Sequence, residues 1–171
     1  ALLGDVCDIT TGKLDANAMK ENGKYKFFTC AKSAYQIDVY AFETEALLIS
    51  GNGANVGYVH YYNGKFNAYQ RTYVLDKFNE NIFFVKYLLD KYLSTRIEKE
   101  KNMGNTPYIV LGTLSKMKLL LPPKTEQGNI SNIMIKTDKE ITLLQTKLDA
   151  LKKQKKGLMQ LLLTGIVRVR V

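Results

Sequence analysis

The stretch ISNIMIKTDKEITLLQTKLDALKKQKKGLMQLL, residues Ile130–Leu162, decides how this chain is built. Starting at Ile130, the positions Ile130, Met134, Thr137, Ile141, Leu144, Leu148, Leu151, Lys155, Leu158 and Leu162 follow one another in alternating steps of four and three, without a slip. Eight of the ten are apolar, so they form one continuous stripe. A free helix of 3.6 residues per turn would drift off that stripe, whereas a 3.5-residue repeat keeps it facing a partner helix; this is a coiled-coil seam. The 33 residues from Ile130 to Leu162 make a rod of about 50 Å at 1.5 Å per residue. An apolar stripe of that length requires cover. Ile130, Met134, Ile141, Leu144, Leu148, Leu151, Leu158 and Leu162 are therefore expected to carry dimerisation. Gly157 inside the rod costs about 1 kcal/mol relative to Ala, and Lys155 on the seam must snorkel or pair, so the last turns are expected to be looser.

Toward the N-terminus the rod begins just after Pro122-Pro123, where the composition changes. Thr125 and Glu126 suit a helix start, although no capping box is present. Before the prolines the chain is rich in Tyr, Phe, Gly and Asn. Tyr25–Thr29, Ala46–Ser50, Val56–Tyr62 and Thr72–Asp76 read as strands, being β-branched or aromatic and bounded by Gly or Asn. Asn63-Gly64 is a strong tight-turn signal, which predicts a hairpin between Val56–Tyr62 and Lys65–Tyr69. Asn81–Lys101 reads as a helix from the spacing of Ile82, Val85, Leu88, Leu89, Tyr92, Leu93 and Ile97, with Asn79 or Asn81 able to cap it. A last short strand is predicted at Lys116–Leu121. The expected architecture is α+β: a mixed-sheet globular domain over residues 1–121, then a long C-terminal coiled-coil helix over 122–171.

The chain has 171 residues and a net charge of +9. Residues 1–121 carry 15 Lys and Arg against 12 Asp and Glu, whereas residues 122–171 carry 10 against 4, so two thirds of the excess lies in the last fifty residues. Such a balance favours phosphate-bearing partners but says nothing about sequence. No apolar run approaches the ~20 residues needed to span a bilayer, and no signal segment opens the chain. Cys7 and Cys30 are too far apart for a CxxC pair and suit a reducing, cytoplasmic compartment.

Catalytic constellations are not legible. Gly51-Asn52-Gly53-Ala54-Asn55-Val56-Gly57 has a dinucleotide-like look, but its spacing is one residue too long and it runs into a strand, not into the helix whose N-terminus would hold a phosphate. The better reading is a tight connection between strands, with Asn52 and Asn55 exposed at its tip. The single His60 makes no metal set with the cysteines, and no serine sits in a nucleophile elbow. No cofactor, no metal and no catalytic role are expected. What remains is a set of polar and basic residues in turn-rich segments: Lys32, Ser33, Tyr35, Gln36, Asn52, Asn55, Tyr69, Gln70, Arg71, Lys101, Asn105 and Thr106. Asn and Gln suit adenine edges and Arg suits guanine, while Lys and Ser suit phosphate oxygens. Each taken singly also fits an ordinary solvated surface.

With both halves in view, Leu3-Gly4-Asp5-Val6 with Thr11-Gly12-Lys13, Ile49–Gly57, Gly64–Ala68 with Tyr69-Gln70-Arg71-Thr72, and Gly104–Ile109 stand in an order and spacing by which the chain resembles the specificity subunit of type I restriction-modification systems. Leu119–Pro123 with Glu126-Gln127 is similar to the family's exit into its helix, and Leu161–Gly165 to its end. Lys26 departs from the family, which often has proline there. The resemblance implies a non-catalytic module that reads a half-site of a bipartite double-stranded DNA target, with Lys13 joining the candidate contacts. It also implies docking to modification (methyltransferase) and restriction subunits. Family members usually carry two recognition domains and two helical regions, and this chain has one of each, which implies a half-subunit or half of a longer chain. A homodimer or a second specificity half would then complete the layout by two-fold symmetry. Two rivals stay open: a coiled-coil adaptor that binds protein without specific DNA binding, and an enzyme built on the glycine loop.

Overall fold

The structure, a computed structural model, describes residues 1–100 and 108–170. It is α+β, and it divides into two compact units, Ala1–Gly128 and Asn129–Val171. The first unit holds a short helix α1 (Leu3–Val6) and strands β1 (Asp8–Thr11), β2 (Tyr25–Phe28), β3 (Tyr35–Ile37), β4 (Phe42–Ser50), β5 (Val59–Ala68) and β6 (Thr72–Asp76). Helices α2 (Ile82–Glu100) and α3 (Leu111–Ser115) follow. The last helix, α4, spans Lys124–Leu163.

The six strands form one sheet in the order β1-β6-β4-β5-β2-β3. The β2–β5 pairing is parallel and the others are antiparallel, so the sheet is mixed. Successive residues of a strand face opposite sides, and central β4 uses both: Ala46, Leu47, Leu48 and Ile49 are all fully buried. Leu47 and Ile49 join Leu75, Val85, Leu89, Leu93 and Leu114 in a core between the sheet and the helices. Ala46 and Leu48 join Phe28, Phe66, Ala68 and Val74 in a second, aromatic core on the other face.

The predicted hairpin at Asn63-Gly64 is not formed. β5 runs unbroken through both residues, paired to β4 from Ile49↔Val59 to Phe42↔Phe66, with Glu45 opposite Asn63 and Thr44 opposite Gly64. The tight turn needs positive φ at both central residues, and only Gly64 has it (φ +135°). That freedom serves a bend. His60, near one end of β5, places its ring 5.2 Å from that of Phe28, while Ala68, at the other end, is Phe28's strand partner. Eight residues of straight strand would separate those ends by about 26 Å, more than one side chain can bridge. β5 therefore curls around the aromatic core, and the true hairpin joins β4 to β5 through the Gly51–Tyr58 connection.

α2 begins where the spacing predicts, with the Asn81 side chain accepting the Phe84 N–H at 3.0 Å. Five of its buried residues, Ile82, Val85, Leu89, Leu93 and Ile97, lie on one face, and Phe84 is buried off that face. The strand predicted at Lys116–Leu121 reduces to a single bridge between Leu2 and Lys118, because the preceding residues fold into α3. α4 is longer than its seam, 40 residues or about 60 Å. Its entry is held by Gln127, 1% exposed, which donates to Glu80 Oε2 at 2.8 Å and to the Pro122 carbonyl at 2.9 Å, and accepts the Asn81 N–H at 3.1 Å. Along the second unit the seam is exposed: Ile141, Leu144, Leu148, Leu151, Leu158 and Leu162 are 42–59% exposed, Met134 is 40% exposed, and Ile130 is half-buried.

Candidate nucleic-acid interface

The curl of β5 gathers four connections at one end of the sheet. The turn after β5 is the hub. Tyr69 donates its N–H to the Phe28 carbonyl at 2.8 Å, and Gln70 donates to the Leu14 carbonyl at 2.8 Å. The Arg71 carbonyl accepts the Gly51 N–H at 2.8 Å and lies 3.5 Å from the Cys30 thiol. The loop after β2 is tied to the β4–β5 connection by Asn55 Nδ2, which donates to the Cys30 carbonyl at 3.0 Å, and to β5 by His60 Nε2, which donates to the Ala31 carbonyl at 2.9 Å. Residues 12–19, 29–34, 51–58 and 69–71 are thus joined by main-chain bonds and by the side chains of Cys30, Asn55 and His60.

Close packing of backbone explains the glycine at the centre. A Cβ on Gly51 would sit 2.2 Å from the Arg71 carbonyl oxygen, so no side chain fits. Gly53 differs: its φ of +78° suits glycine, yet open space surrounds it. The loop's glycines therefore serve chain approach and turning.

Of the residues singled out in the sequence, Lys13, Lys32, Ser33, Asn52, Asn55, Tyr69, Gln70 and Arg71 lie on these joined segments. Lys13, Lys32, Ser33, Gln70 and Arg71 are exposed, and Asn52, Asn55 and Tyr69 are half-buried. Among the described residues, none of Lys13, Lys32 and Arg71 makes an ion pair, whereas Lys20, Lys65, Lys77, Lys86 and Arg96 all do. The connection does not display Asn55 at an exposed tip, since its amide is engaged with Cys30. The Gln70 amide donates to Asp15 Oδ1 at 2.7 Å. Tyr35 and Gln36 lie apart, exposed on β3, the outer strand. Lys101, Asn105 and Thr106 fall outside the described residues.

Two aromatics beside this cluster escaped the sequence reading. Tyr58, 39% exposed, packs against the His60 ring at 4.7 Å; Tyr108, 57% exposed, follows through a bridge between its backbone and that of Asn52. Adjacency to the glycine connection was the only available signal for Tyr58, and nothing local pointed to Tyr108. Burial lowers the His60 pKa, opposed by its bond to Ala31, so the ring is neutral at pH 7. Burial raises the Tyr73 pKa, and the Arg71 charge partly offsets it. Both cysteines are free, and burial, aided by Asp76 and Asp8, pushes the Cys7 thiol up to about 12, where it is unreactive. Among the described residues no group of three or more His, Cys, Asp or Glu is placed to hold a metal ion, and no helix is long and apolar enough to cross a membrane.

A curled mixed sheet whose connections converge on one end, followed by a long helix with an exposed apolar seam, defines a two-part α+β module. The family model for the type I restriction modification DNA specificity domain matches residues 2–153, and the chain belongs to that family. The specificity subunit of the type I restriction enzyme EcoDI of Escherichia coli is 41% identical over 129 residues, which cover 75% of this chain and 28% of that protein. In fold the chain is similar to the type I restriction-modification S subunit of M. genitalium, with a TM-score of 0.72 and 18% identity, covering 94% of this chain and 44% of that one. It is also similar to the HsdS subunit of Thermoanaerobacter tengcongensis, with a TM-score of 0.61 and 21% identity, covering 84% and 38%. This chain therefore spans less than half the length of each of these three proteins.

Proposed function

We propose that this chain is a DNA-recognition module of a type I specificity subunit. It reads one half-site of a bipartite double-stranded target and supplies the helix that spaces it from a second module. The observation that carries this reading is the convergence of Lys13, Lys32 and Arg71, all exposed and without ion pairs among the described residues, on one end of the sheet. A guanidinium held there on a locked backbone suits the paired acceptors of a guanine edge, and the two ammonium groups suit phosphates, which set register without reading sequence. Tyr58 and Tyr108 add exposed aromatic surface beside them. Residues 1–121 form the reading part and 122–171 the spacing part. The module contributes address and scaffold, with methylation and cleavage left to the modification and restriction subunits that it docks. Two free cysteines suit action in the reducing cytoplasm.

The seam of α4 supports pairing with a second specificity half or with another copy of this chain, since an apolar stripe half-exposed over some thirty residues is too costly to leave in water. The test is selection of bound sequences from a random duplex pool, repeated at rising salt. Enrichment of one short motif, with affinity falling steeply as salt rises, is expected. A pool that emerges unenriched, or affinity indifferent to salt, refutes the reading and favours a protein-binding adaptor.

A further inference from the structure

The C-terminal half of α2 and the extended segment after α3 enclose a groove of about 570 Å³ that takes no part in the converging loops. Its lining includes Leu88, Met117 and Leu119, which are half-buried or buried. Tyr92 and Leu120 also line it, yet they are 48% and 90% exposed, a poor use of apolar surface in water. Every charged side chain of the lining is a cation: Arg96, Lys99, Lys116 and Lys118. Arg96 Nη2 meets Glu100 at 3.1 Å, but its Nε is buried with no acceptor among the described residues. An apolar trough ringed by one sign of charge fits a ligand that brings both apolar anchors and carboxylates. A phosphodiester backbone would satisfy the cations and leave Tyr92 and Leu120 in water, so a protein segment fits better than nucleic acid.

We infer that this groove docks a protein segment with an apolar anchor flanked by Asp or Glu, carried by the modification subunit. The inference rests on the function proposed above, which assigns that partner. Tyr92 and Leu120 supply the anchoring contacts, and Lys99, Lys116 and Lys118 orient the segment and speed its arrival. The face is remote in role from base reading, so the two activities separate by mutation.

The experiment uses the full chain and the purified modification subunit of the same system, with affinity measured by calorimetry. Leu120→Ser is expected to weaken that affinity about tenfold, as loss of an interface anchor does. Lys116→Glu with Lys118→Glu is expected to weaken it comparably at low salt, with the deficit shrinking as salt rises. Both variants should keep wild-type thermal unfolding and wild-type affinity for the selected DNA, and at a site 90% exposed Leu120→Ser has little fold to disturb. Variants that bind the modification subunit as tightly as wild type overturn the inference. A wild-type chain that selects DNA but holds no modification subunit overturns it too, while base reading stands. A wild-type chain that does neither overturns the functional reading itself.

Discussion

The Gly51 N–H donates to the carbonyl of Arg71 at 2.8 Å, and a Cβ on Gly51 would stand 2.2 Å from that same oxygen. The backbone carrying the candidate base-reading arginine is thus clamped at a point where only glycine fits. Gly51→Ala must push the two segments apart and weaken both that bond and the one from the Ile109 N–H to the Gly51 carbonyl (2.7 Å). A loss of about 3 kcal/mol in urea unfolding is expected. Gly53→Ala, strained in φ but unobstructed, should cost only about 1 kcal/mol. Equal costs at the two positions would show that strain, not contact, governs the loop.

Arg71→Ala should leave unfolding unchanged, since the clamp uses main chain only. Its affinity for the selected duplex should fall by about 1–3 kcal/mol, the usual worth of a bidentate base contact, with a smaller fall on random duplex. Equal losses on both would place Arg71 on phosphate.

Gln127→Leu removes three hydrogen bonds at a site 1% exposed and leaves Glu80 Oε2 without that donor. A destabilisation of about 3 kcal/mol is expected from chemical denaturation. A cost below about 0.5 kcal/mol, within the range of an ordinary surface change, would show that the side chain does not hold the start of α4.

Leu144→Asp and Leu148→Asp place a carboxylate on the seam, where pairing would have to desolvate it. Sedimentation of the chain, alone and with a second specificity half, should show association abolished or weakened at least tenfold. Unchanged mass in both variants would remove the seam from the assembly.

His60 is the chain's single histidine, and burial sets its pKa below the ordinary 6.5. Above pH 6.5 the ring is neutral in folded and unfolded chains alike, and its full contribution to stability is present. As pH falls through 6.5 toward the folded value the unfolded chain takes up its proton first, so stability is lost. NMR titration should give one imidazole with a pKa below 6.5, and His60→Gln should flatten the decline in stability on acidification. An imidazole titrating at or above 6.5 would contradict the burial argument.

Much of the fold was legible because it is local. Asn81 caps the helix that begins beside it, and Thr72–Asp76 is a strand in full. The rod follows from spacing alone. Asn63-Gly64 shows the limit. Its readiness for positive φ is real and used at Gly64, but whether it reverses the chain or merely bends it depends on β4, whose Phe42–Ile49 pairs with Val59–Phe66 on both sides of the glycine. A partner twenty residues away outweighs a two-residue preference.

The sequence by itself determined the long helix with its apolar seam, several of the strands and a family membership. Each of these rests on spacing or on short motifs, which act between neighbours. Only the tertiary structure decided that Cys30, Gly51 and Arg71 meet, that Asn55 and Gln70 already have partners inside the protein, and that Tyr58 and Tyr108 stand beside them. The reason is physical: these contacts join segments 20 to 56 residues apart, and all but the Gln70–Asp15 pair have a main-chain atom on at least one side, which every residue possesses, so side-chain identity carries little record of them.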